Sequence, residues 1–174
     1  SIRVRSLGIS ATRAATPIEI VNCGSRPISG TISPLTAAHS FSATRSACGS
    51  DVFVIQSHCS PINEWLMEQL ILVDSLKRAS AKRITVVAPF YPYARQDKKG
   101  RGREPISARL VADLFKAAGA NRIMSVDLHA AQIQGFFDGP VDHLFAMPVL
   151  LEHFRAKLDP STLTIVSPDM GRVR

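Results

Sequence analysis

Five cations fall within nine positions, Arg95, Lys98, Lys99, Arg101 and Arg103, inside the segment PFYPYARQDKKGRGRE that spans 89–104. Arginine forks and lysine ammonium groups suit phosphate oxygens, and Gly100 and Gly102 let a backbone fold closely round a ligand. A second group follows: Asp127, His129, Asp138 and Asp142 lie in DLHAAQIQGFFDGPVDHL, and Asp169 stands near the end of the sequence. Carboxylates beside a phosphate-binding loop suggest magnesium, a hard cation that takes oxygen ligands and usually keeps several waters. Asp127 and His129 are two apart, so they project to one side of an extended segment. An imidazole is an uncommon direct magnesium ligand, so His129 acts through water or positions a phosphate. Any one of these residues is equally well a turn, a cap or a solvated charge; the grouping beside a basic loop is what points to polyphosphate chemistry. His58 and Cys59 invite a nucleophile–base reading, but no acid that would orient the histidine is visible, and the pair is set aside.

Such residues need a scaffold, and the hydrophobic pattern supplies one from Asp51 onward. Short apolar runs at 52–55, 84–87, 123–126 and 163–166 have the length and β-branched content of strands buried on both faces. Between them lie helical patterns. Asn63–Ala79 carries Leu66, Leu70 and Val73 on one face and Lys77 and Arg78 at its end, with Ser60 or Asn63 as the expected cap. A second runs from Pro105 to a stop at Gly119, with Ile106, Leu110 and Leu114 recurring at helical spacing, and a third covers Val149–Leu158. Alternating strands and helices predict an α/β fold, a parallel sheet flanked by helices. Ligands of such sheets gather beyond the carboxyl ends of the strands, where the Arg95 and His129 segments lie.

Residues 1–50 differ in character. They contain no Lys, Asp, Trp or Tyr, and Ser, Thr and Ala fill 22 of the 50 positions. The one strand-like stretch is 18–21. So little large apolar surface predicts loose order. The whole chain has 174 residues, 21 Lys and Arg against 14 Asp and Glu, a net charge of +7 and 45% hydrophobic residues. This fits one domain, and no apolar run approaches the ~20 residues of a membrane span. The opening residues lack the apolar core of a signal peptide, so a cytoplasmic location is expected. Cys23, Cys48 and Cys59 form no CxxC pair and no disulfide framework.

The segments 89–110 and 127–144, with DVFVIQSHCSPINEWLMEQL and SPDMGRVR, resemble ribose-phosphate diphosphokinases, also called phosphoribosyl pyrophosphate synthetases. The likeness runs from Asp51 to Arg174. It implies a phosphoribosyltransferase-like fold and magnesium-dependent transfer of the diphosphoryl group of ATP to the 1-hydroxyl of ribose 5-phosphate, giving phosphoribosyl pyrophosphate and AMP for nucleotide biosynthesis. It implies that Arg95 and Gln96 contact ATP, with Asp97, Lys98 and Lys99 continuing that loop. His129 and Asp169 match metal-site positions, and Asp127, Asp138 and Asp142 are assigned to magnesium in some members. Family members are homo-oligomers, dimers building into hexamers.

The resemblance also has gaps. The family's Phe-x-Asp/Asn-Gly-Glu motif is expected upstream of Asp51, but residues 30–50 read GTISPLTAAHSFSATRSACGS. This predicts a frame-shifted or mispredicted start, with 1–50 as an atypical segment and 51–174 as the N-terminal domain. The family's second domain, which holds its catalytic Lys/Arg loop, is expected to be absent, so no catalytic residue is assigned here and little activity is expected of this chain alone. The alternative within the same lineage is a non-catalytic regulatory subunit associated with an active synthetase. The basic pI of about 9.8 also raises nucleic-acid binding, but the cations cluster in one loop rather than along a stripe, so neither nucleic acid nor membrane is an expected partner.

Overall fold

The computed structural model describes residues 19–22, 47–159 and 161–166. Its elements are β1 (Glu19–Asn22), β2 (Asp51–Ile55), α1 (Ile62–Arg78), β3 (Arg83–Ala88), α2 (Ser107–Ala118), β4 (Arg122–Val126), a short 3-10 helix (Ala131–Phe136), β5 (Val141–Leu144) and α3 (Met147–Lys157). The strands stand side by side in chain order. β2, β3 and β4 are parallel, and β1 joins β2 antiparallel, with Glu19 opposite Ile55. Right-handed crossovers between adjacent parallel strands put successive helices on the same face, and α1 and α2 do pack against each other there.

The register explains the core. Val52 pairs with Ile84, Val54 with Val86, Val86 with Ile123 and Ala88 with Ser125. All of these are buried, on the face covered by the helices. β3 is buried continuously from Ile84 to Val86, as a central strand should be. β2 and β4 instead alternate, leaving Phe53, Ile55, Met124 and Val126 half-buried. Among the described strands, the expectation of burial on both faces therefore holds only at the centre, with α1 and α2 packed on one face.

α1 buries Trp65, Leu66, Gln69, Leu72, Val73 and Leu76, with Lys77 and Arg78 in its last turn, favourable at the negative end of the helix dipole. Neither Ser60 nor Asn63 caps it. Pro61 holds the N-cap position without a side-chain bond, and the Asn63 side-chain oxygen instead accepts the Tyr93 hydroxyl proton. α2 also differs from its expected face. Leu110 is 58% and Leu114 37% exposed. The inward stripe is Ala108, Val111, Ala112 and Phe115, small residues that let the helix approach the sheet while Phe115 fills the space between. Gly119 ends the helix at φ 121°, where a Cβ would come within 2.5 Å of Lys77 Cδ.

Two further expectations are corrected. The run 163–166 is exposed and forms no strand. The strand after β4 is Val141–Leu144, too short and too polar (VDHL) to announce itself by period. The chain divides into two compact units, 1–143 and 144–174. In the second, α3 buries none of its residues. No described helix is long and apolar enough to cross a membrane.

Candidate functional site

Arg95 to Lys99 lie on the segment that leaves β3, and Asp127 and His129 on the segment that leaves β4. The two strands end side by side, with Ala88 opposite Ser125 and the Val126 N–H donating to Pro89 O at 3.3 Å. The β3 exit is then shaped by buried aromatic and polar anchors. Tyr91 is buried and donates its hydroxyl to Ala108 O at 2.9 Å. Burial, with a smaller contribution from Asp113, pushes that phenol well above its usual range, so it stays neutral. Tyr93 adopts φ 56°, turning the chain back on itself. The Ser107 hydroxyl donates to Gln96 Oε1 at 2.5 Å, and the Ala108 N–H to Gln96 O at 3.1 Å.

Arg95, Gln96, Lys98 and Lys99 are exposed, whereas Asp97 is only 6% exposed. The tip closes differently from the glycine-based expectation. The Gly100 and Arg101 N–H groups both donate to Glu104 Oε2, at 2.7 and 2.9 Å, and the left-handed residue is Arg103 at φ 66°. Gly100 matters for room: a Cβ there would meet Glu104 Oε2 at 3.3 Å.

Beyond β4, Asp127 turns the chain at φ 46°, and the Leu128 N–H donates to His143 Nε2 at 2.9 Å. Asp127 and His129 are both exposed, while Ile133 anchors the following 3-10 helix in the core at 2% exposure. Gln132 reaches across, its Nε2 donating to Asp97 Oδ2 at 2.7 Å. This bond joins the basic loop to the His129 segment.

The structure does not gather the other carboxylates here. Asp138 faces Lys116, in the last turn of α2, at 3.4 Å, and Asp142 pairs with Arg122, the first residue of β4, at 2.9 Å. β4 separates Arg122 from Val126 by about 13 Å at the usual strand rise, which puts Arg122 at the opposite end of the strand from Asp127. Among the described residues no three His, Cys, Asp or Glu side chains come together as a metal site. Asp169 lies outside the described residues.

Below the rim sits a buried polar layer that residue spacing did not reveal. Gln69 Nε2 donates to Val54 O at 2.8 Å and Val87 O at 3.3 Å, satisfying carbonyls at the strand ends. His58 is fully buried at φ 52°, its ring tilted against Phe115 at 6.3 Å. Neither ring nitrogen makes a well-formed hydrogen bond, though the Phe90 backbone and Gln69 lie near. Desolvation lowers its pKa to about 4. Cys59, next in sequence, is exposed. A buried, neutral imidazole beside an outward-facing thiol is no nucleophile–base dyad.

Residues 36–119 match the family model described as the N-terminal domain of ribose phosphate pyrophosphokinase. Over those residues the chain is similar to the N-terminal domain of this family. The match begins upstream of Asp51, where the residues alone put the onset. A ribose-phosphate pyrophosphokinase of Streptomyces avermitilis is 71% identical over 129 residues, covering 74% of this chain and 40% of that protein. Another, from Bifidobacterium longum, is 65% identical over 133 residues, covering 75% and 39%. The crystal structure of phosphoribosylpyrophosphate synthetase from Mycobacterium smegmatis superposes with a TM-score of 0.62 at 69% identity, covering 64% of this chain and 38% of that one. The fold is thus phosphoribosyltransferase-like, and the chain spans about two fifths of the length of these relatives.

Proposed function

We propose that this domain binds magnesium-ATP for a ribose-phosphate pyrophosphokinase reaction, transfer of the diphosphoryl group of ATP to the 1-hydroxyl of ribose 5-phosphate. The observation that carries the reading is the Gln132–Asp97 bond across the adjoining ends of β3 and β4, with four exposed site residues on one side of it and Asp127 and His129 on the other. Moving a charged diphosphoryl group is chiefly a matter of positioning and charge neutralisation, so no protein nucleophile is required. Arg95, Lys98 and Lys99 neutralise phosphate oxygens, and Gln96, held by Ser107, offers its amide nitrogen to the nucleotide. Magnesium suits the site, because it is commonly held by only one or two carboxylates together with substrate phosphates. Asp127 would hold it, His129 would act through water, and Asp169 belongs to the same proposed set. A divalent ion held there would supply positive charge against the repulsion between phosphate oxygens. Cytoplasmic location and homo-oligomeric assembly complete the proposal, supported by the likeness to that family.

Calorimetry of magnesium-ATP binding tests this directly. Arg95→Ala and His129→Ala should each weaken binding by about tenfold or more, the effect of one charge-assisted contact. Binding that both substitutions leave unchanged would overturn the site.

A further inference from the structure

An aspartate at 6% exposure is out of place in an otherwise exposed cationic segment. If its carboxylate faced a polyphosphate it would repel the ligand that its neighbours attract. It turns inward instead and accepts from Gln132 Nε2 at 2.7 Å. The preceding residues are tied to α2, through Tyr91 to Ala108 O and through Ser107 and Ala108 to Gln96. Asp97 is tied to the other exit, three residues past His129, where the neighbouring Ile133 is packed into the core.

We infer that Asp97 and Gln132 are positioning residues, not ligand contacts, and that their hydrogen bond holds the cationic loop in register with the His129 segment. The inference deepens the proposed magnesium-ATP reading and rests on it for its functional consequence. Buried, the carboxylate needs its donor, so loss of the Gln132 amide leaves an unsatisfied acceptor whose cheapest relief is to swing into solvent. That motion carries Arg95 and Lys98, its close neighbours in the chain, out of place.

The test is a donor–acceptor exchange read by magnesium-ATP calorimetry and by hydrogen–deuterium exchange over residues 94–101. Gln132→Glu sets two acceptors face to face. It should weaken binding at least about tenfold, as expected for a lost buried hydrogen bond, and should speed amide exchange in the loop with little change in the thermal midpoint. Gln132→Met, which removes the donor without adding charge, should do the same, and keeps the test alive if the glutamate variant misfolds. Asp97→Asn combined with Gln132→Glu reverses donor and acceptor at unchanged net charge and should restore both readouts. Two results overturn the inference: variants that leave loop exchange and affinity as in the native chain, or an Asp97→Asn loss that the double exchange does not rescue, which would put Asp97 on the ligand itself. Loop exchange needs no nucleotide. A native chain that failed to bind magnesium-ATP, yet showed the exchange pattern, would sink the functional reading while supporting the positional one.

Discussion

The buried histidine makes stability depend on pH in a way that can be worked through. His58 is fully enclosed, and desolvation, outweighing the nearby Phe90 backbone and Gln69, lowers its pKa from the ordinary 6.5 to about 4. The unfolded chain therefore takes up a proton on this ring as pH falls through 6.5, while the folded chain resists until about 4. Between those values the unfolded state binds more protons, so stability falls as pH falls. At about 1.4 kcal/mol per pH unit, the window corresponds to a loss of about 3 kcal/mol, an appreciable share of the ~5–15 kcal/mol that holds a domain together. Glu68 acts in the opposite sense, since burial raises its carboxyl pKa. The clean measurement is thus a difference. Urea unfolding would be followed from pH 7 to 4.5 for the native chain and for His58→Asn, which tolerates the φ of 52° better than most residues. The variant should lose most of the His58 share of the pH slope, whatever its stability at neutral pH. Ring signals of His58 in NMR should stay those of neutral imidazole down to about pH 5. Parallel slopes for the two proteins, or a ring that titrates near 6.5, would refute the desolvation argument.

Two further outcomes follow from the geometry. Gly119→Ala should destabilise the domain by about 1 kcal/mol or more, because it combines a strained backbone with a close approach to the Lys77 stem, and thermal unfolding reads it. Asp138→Asn should leave magnesium-ATP affinity within about twofold of native, since Asp138 faces Lys116 rather than Asp127; a tenfold loss would bring that carboxylate back into the metal site.

The arrangement of strands and helices between 51 and 126 was legible in the residues because it rests on local rules. Largely apolar runs of four mark strands, an i, i+4 pattern marks α1, and a glycine stop marks the end of α2. The cationic loop was legible for the same reason, as a dense local run of charge after a strand. Elsewhere local rules are ambiguous and tertiary packing overrides them. Leu110 and Leu114 have helical spacing but face outward, because α2 needs small residues against the sheet. The run 163–166 has strand composition but no strand, while VDHL forms one by lying beside β4.

Residue types and spacing thus determined the layer architecture and the charge of the two exit segments, since periodicity and charge density are properties of neighbours in the chain. Which side chains each carboxylate meets was decided only in three dimensions. Asp97 and Gln132 are 35 positions apart and meet in a hydrogen bond. Asp138 and Asp142 are near Asp127 in sequence, but Lys116 and Arg122 claim them elsewhere. Spacing along a chain says little about distance once the chain has doubled back, and the state of a buried group such as His58 depends on what excludes water around it.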